Sequence, residues 1–137
     1  MAGKTLKIGI VMDPIESITP YKDSSLAMLL EAARRDAEIH YFQQRDLKLV
    51  GGAAFGQSTL LDVRDDIDDW YTAGATQEVA LGDLDVLLMR KDPPFDMEYV
   101  YTTYILDRAL AAGALVVNNP QALRDMNEKA YTAWFPE

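Results

Sequence analysis

The chain has 137 residues, the size of one compact domain and too short for two ordinary ones with separate cores. With 49% hydrophobic and 26% charged residues it belongs to the folded, globular class. A formal charge of −9, from 22 acidic against 13 basic side chains, argues against nucleic acid and anionic membranes as partners, and no cysteine with a single His40 excludes disulfides, thiolate chemistry and a multi-histidine metal cluster.

The first apolar run, Ile8 to Met12, is shorter than a signal-peptide core or a bilayer span, so a cytoplasmic protein is expected. Lys7 to Met12 is apolar at both parities, as a parallel strand buried on both faces requires, and it stops at Asp13-Pro14. Asp23, Ser24 and Ser25 offer N-cap oxygens to a helix whose Leu26, Leu29, Leu30 and Ala33 share one face and which ends near Asp36. Ile39 to Phe42 then forms a second short strand, with His40 among apolar neighbours as a structural residue.

Residues 47–79 lack a long helical period and predict an antiparallel excursion, with Gly51-Gly52 turning a hairpin because glycine accepts positive φ. The acidic run Asp65, Asp66, Asp68 and Asp69 reads as a solvated turn, although Val63, Ile67 and Trp70 also suit one helical turn. Asp85 to Met89 is another buried strand, leaving through Arg90-Lys91-Asp92-Pro93-Pro94-Phe95. Asp96 caps the next helix, whose expected buried stripe is Tyr101, Tyr104, Ile105 and Ala109, with Tyr99 also packing and Gly113 at its C-terminal end. Leu115 to Val117 is a last buried strand, Asn119-Pro120 starts a helix, and residues 127–135 suit a further amphipathic turn or two.

Strands alternating with helices give an α/β, Rossmann-like fold: an open, mostly parallel sheet with helices on both faces. Ligands of such sheets bind beyond the C-terminal strand ends, which selects the loops Asp13 to Glu16, Arg90 to Asp96, and Asn118 to Asn119. Asp-Pro and Asn-Pro are equally ordinary turn starts. Arg90 and Lys91 make a positive spot for a carboxylate or phosphate, or else one of them pairs with an internal acid such as Asp13 or Asp92. Lys22 to Ser25 suits an anion at a helix start, but simple capping is the plainer role. Neither glycine-rich phosphate loop occurs, and a lone Asp13 after the first strand disfavours a phosphorylatable receiver domain.

Four stretches, G-I-V-M-D-P-I (Gly9 to Ile15), K-D-S-S (Lys22 to Ser25), D-L-D-V-L-L-M-R-K-D-P-P-F-D (Asp83 to Asp96) and L-R-D-M-N-E-K (Leu123 to Lys129), resemble the bacterial glutathione synthetases collinearly over essentially the whole chain. The resemblance implies a pre-ATP-grasp, substrate-side domain over residues 1–126, with 127–137 beginning the linker to an ATP-grasp region. It implies ligation of γ-glutamylcysteine to glycine with ATP and Mg²⁺ through an acyl phosphate, in a homo-oligomer. Asp13, Pro14, Ser25, Arg90, Lys91 and Asp92 would border the dipeptide, and Lys129 would contact ATP phosphates; Asn119 departs from the lysine of some relatives and takes no phosphate role. The family's glycine-rich flap and magnesium-binding carboxylates are expected outside these residues, so the chain alone would be inactive. The alternative is a stand-alone Rossmann-like binding or oligomerisation module.

Overall fold

A computed structural model of the chain describes residues 4–92 and 94–126, together with Ala133 and Phe135. The turns expected over 127–135, the boundary after residue 126 and Lys129 lie outside the described residues. Strand β1 (Lys7–Val11), helix α1 (Ser24–Arg34) and strand β2 (Glu38–Phe42) form the first unit, with β1 and β2 parallel and Ile10 opposite Tyr41. Asp23 caps α1 by accepting the Leu26 N–H at 2.8 Å.

The antiparallel excursion is β3 (Leu47–Val50), β4 (Ala53–Val63) and β5 (Tyr71–Ala80). Gly51 and Gly52, at φ +58° and +82°, turn the β3–β4 hairpin. Strand β4 runs antiparallel to β5 along one edge and meets β3 and β2 at successive stretches of the other, Ala53 to Gly56 and Thr59 to Leu60. The acidic run is the β4–β5 loop, closed by Asp66 Oδ1 accepting the Asp68 and Asp69 N–H groups at 2.8 and 3.1 Å. Its helical alternative does not form, and Ile67 stands 62% exposed.

Strand β6 (Val86–Met89), helix α2 (Met97–Ala111), strand β7 (Leu115–Val117) and helix α3 (Pro120–Asp125) complete the order. β6 pairs parallel with β1 and with β7, giving a parallel β2-β1-β6-β7 half of a seven-stranded sheet. Side chains alternate across this sheet into two cores. Ile10, Met12, Ile39 and Tyr41 pack under Leu26, Leu29 and Ala32 of α1, whereas Val11, Phe42, Leu87 and Met89 pack under Tyr99, Leu106 and Ala109 of α2. Helices therefore cover both faces. Gly9 leaves room for the α2-side core, because a Cβ there would lie 2.6 Å from Leu84 Cδ1 and 2.7 Å from Leu87 Cδ1 and both side chains would have to shift.

Two expectations are corrected. Tyr101 and Tyr104 are not in the buried stripe of α2: they are 61% and 46% exposed, and the buried positions are Tyr99, Thr102, Thr103, Leu106 and Ala109. Thr102 and Thr103 disguise that face, since their hydroxyls are satisfied by the Glu98 and Val100 carbonyls at 2.9 and 2.6 Å and so bury without penalty. Strand β7 is an edge in which Val116 alone is buried, because Leu115 and Val117 point from the α1 side of the sheet where no described helix covers them. Among the described residues no helix is long and apolar enough to cross a membrane.

Candidate functional site

From β1 the chain crosses through α1 to β2 on one side, while β6 lies on the other, so the C-terminal ends of β1 and β6 flank the point where the winding reverses. A crevice opens there because the loops leave toward opposite faces. The ladder extends one residue past each strand: Met12 donates to the Phe42 carbonyl at 3.1 Å and Arg90 to the Val11 carbonyl at 2.8 Å. This fixes the two loops that begin at Asp13 and Lys91.

Asp13 ties them together. Its Oδ1 lies 3.0 Å from Lys91 Nζ and its Oδ2 accepts the Asp92 N–H at 2.9 Å, while Lys91 Nζ also donates to the Asp92 carbonyl at 2.8 Å. Of the two cations read from sequence, Lys91 thus takes the internal partner. Arg90 instead donates from Nε to Ser25 Oγ at 3.1 Å and from Nη2 to Ser24 Oγ at 2.7 Å, bolting β6 to the first turn of α1. Ser25 is buried by this contact. Hydroxyls do not neutralise a guanidinium, and Arg90 has no carboxylate partner among the described residues. Its charge adds to the positive end of α1.

The stretch after Asp13 is held from two directions. Pro14 accepts the Ser17 N–H at 2.9 Å and the Ser17 hydroxyl at 2.7 Å, which closes a short 3-10 turn over Ile15–Ser17. The Ile15 N–H donates to the Tyr41 hydroxyl at 3.1 Å, and the Ile15 carbonyl accepts from Trp70 Nε1 at 3.0 Å. Burial pushes the Tyr41 phenol above its ordinary value near 10, and the Ile15 N–H opposes that rise. Trp70 had no signal in the sequence, since its partner is 55 positions away.

The Asp13–Lys91 bridge divides the crevice. On the α1 side a compartment of about 440 Å³ is bordered by Asp13, Ser17, Thr19, Lys22 and Asp92. On the α2 side a second, of about 220 Å³, is bordered by Asp13, Pro14, Gln44, Arg45, Lys91 and Glu98. Asp13, Pro14, Lys91 and Asp92 therefore border the crevice, whereas Ser25 and Arg90 border neither compartment and meet each other at the first turn of α1. The third candidate loop borders neither compartment, and Asn119 caps α3 by accepting the Ala122 N–H at 3.1 Å. Sequence reasoning passed over Gln43, Gln44 and Arg45. Their one legible trace is the Gln43/Asp46 spacing, which forms a capping box around the 3-10 turn Gln44–Asp46. His40 is buried between Ser58 Oγ at 2.6 Å and the partly exposed Glu38, whose Oε1 lies at 2.7 Å, so both ring nitrogens are occupied.

Residues 6–124 match the family model described as the prokaryotic glutathione synthetase, N-terminal domain. The chain belongs to this family. Among similar proteins, the glutathione synthetase of Yersinia pestis is 58% identical over 132 residues, which is 96% of this chain and 41% of that protein. Those of Salmonella typhimurium and Vibrio cholerae are each 57% identical over the same length, covering 42% of each. The chain spans about two-fifths of the length of these curated relatives. All the crevice residues named above fall inside the match to the prokaryotic glutathione synthetase N-terminal domain.

Proposed function

We propose that the chain is the substrate-side domain of a glutathione synthetase, a ligase that joins γ-glutamylcysteine to glycine. In that reaction ATP phosphorylates the cysteinyl carboxylate, the glycine amine displaces the phosphate, and glutathione, ADP and phosphate leave. The observation that carries the reading is the identity of 57–58% to proteins of that name over 96% of the chain, with a polar crevice where an α/β sheet takes ligands.

Within this reading residues 1–126 form the dipeptide-binding unit and 127–137 begin the connection to the nucleotide-binding part. Arg90 and the Asp13–Lys91 bridge present charge and hydrogen bonds to the dipeptide, with Pro14, Ser25 and Asp92 fixing their positions. Lys129 is assigned the ATP phosphates by resemblance alone. Among the described residues no group of three or more His, Cys, Asp or Glu side chains is placed to hold a metal ion. The reading gives these residues the dipeptide side of the reaction. A cytoplasmic homo-oligomer is part of the same proposal; the one-sided pairing of β5 and β7 and the exposed Leu115 and Val117 offer it surface to bury.

Calorimetry tests the reading. The chain is expected to bind γ-glutamylcysteine, and to form no glutathione when ATP, Mg²⁺ and glycine are added. Turnover by the chain alone, or no response to the dipeptide, overturns it.

A further inference from the structure

The α2-side compartment has a charge pattern that the crevice as a whole does not explain. Asp13 and Lys91 neutralise each other on its inner wall. Arg45 and Glu98, which also line it, are joined to no ionic partner among the described residues, although they carry opposite charges and border the same space of about 220 Å³. The 3-10 turn Gln44–Asp46 holds Arg45 on one side, and the first turn of α2 holds Glu98 on the other. Gln44 of the same turn also lines the space, and its Nε2 is buried without a hydrogen-bond partner among the described residues, so its amide can turn toward an acceptor supplied by a ligand.

We infer that this compartment is a clamp for a zwitterionic α-amino acid head group. Arg45 receives the α-carboxylate, Glu98 receives the α-ammonium, and the Gln44 amide adds a hydrogen bond. The site is neutral overall with separated poles, so it matches a ligand of the same kind. A phosphate or a simple carboxylate would satisfy Arg45 and leave Glu98 facing like charge, and a simple amine would do the reverse. Resting on the reading that γ-glutamylcysteine is the substrate, the inference assigns its γ-glutamyl end to this compartment. The cysteinyl carboxylate is then directed across the Asp13–Lys91 bridge toward the larger compartment. Holding the unreactive end in its own pocket is how remote binding energy positions a reacting group.

The test is a ¹⁵N-labelled chain titrated with γ-glutamylcysteine, with the glutaryl analogue that lacks the α-ammonium, and with the 4-aminobutyryl analogue that lacks the α-carboxylate. The dipeptide is expected to shift the amides of Gln43 to Arg45 and of Glu98, and to bind about tenfold or more tightly than either analogue, the worth of one charge-assisted hydrogen bond. Glu98→Gln is expected to abolish discrimination against the glutaryl analogue, and Arg45→Ala discrimination against the aminobutyryl one. Both residues are exposed and without ionic partners among the described residues, so neither change threatens the fold. Shifts confined to Ser17, Thr19 and Lys22, or wild-type selectivity retained in either variant, overturn the clamp while leaving the substrate reading intact. No response to the dipeptide anywhere overturns both.

Discussion

Tyr41→Phe isolates the clamp that shapes the crevice. The ring stays and only the hydroxyl goes, so the packing of Tyr41 against Ile10, Ile39 and Leu29 is kept. What changes is the Ile15 N–H, which loses its acceptor at 3.1 Å in a residue only 3% exposed. An orphaned buried donor costs about 1–3 kcal/mol, which in a domain of this length lowers Tm by about 4–12 °C. Trp70→Phe removes the opposite hold, the indole N–H on the Ile15 carbonyl, at about 1 kcal/mol because Trp70 is half-buried and water reaches part of the site. The two changes act on one residue's main chain, so the double variant is expected to lose less than the sum, by about 0.5–1 kcal/mol. Urea unfolding gives the free energies, and hydrogen exchange at the Ile15 amide reports the clamp itself. There is also an alkaline signature. With the folded phenol raised above its ordinary value near 10, its contribution is complete below that value and is lost as pH rises through the folded one. Tyr41→Phe removes this contribution to the alkaline limb. A Tyr41→Phe protein within about 0.5 kcal/mol of wild type, with the Ile15 amide still protected, would refute the argument.

Other parts of the frame respond in distinct ways. A double-mutant cycle of Asp13→Asn and Lys91→Met is expected to give a coupling of about 1 kcal/mol, as for a partly exposed pair, and additivity would show that the bridge contributes nothing to the crevice. Gly82→Ala places a Cβ 2.5 Å from Ala112 Cβ, where neither group has a torsion to move aside, and is expected to destabilise by about 1–3 kcal/mol; an unchanged urea midpoint would contradict it. Asp85 accepts the Lys7 N–H at 2.8 Å, which together with Lys4 holds its carboxyl below the ordinary value near 3.8. Its stabilisation is present above that value and lost as pH falls through the lower folded one, so Asp85→Asn is expected to flatten the acid limb of Tm against pH.

Local pattern was enough wherever burial follows from a residue's immediate neighbours. The doubly apolar runs at Lys7 to Met12 and Asp85 to Met89 could serve only as central strands, and Asp23, Asp96, Asn119 and the Gly51-Gly52 pair act on backbone within a few positions of themselves. The candidate loops after β1 and β6 were legible for the same reason, since they are where those strands stop. Tertiary structure decided whatever depends on distant partners. Tyr101 and Tyr104 repeat at a core-like spacing yet face outward, because Thr102 and Thr103 bury with their hydroxyls bonded to the helix's own carbonyls. Leu115 and Val117 read as core but belong to an edge strand that the described helices do not cover. The division of labour between Arg90 and Lys91 was open in the sequence, since both leave the end of β6 and only the packed structure shows which meets Ser24 and Ser25 and which meets Asp13. Arg45 and Glu98 are 53 positions apart in the numbering and share a compartment only because a turn after β2 and the start of α2 pack together at one end of the sheet.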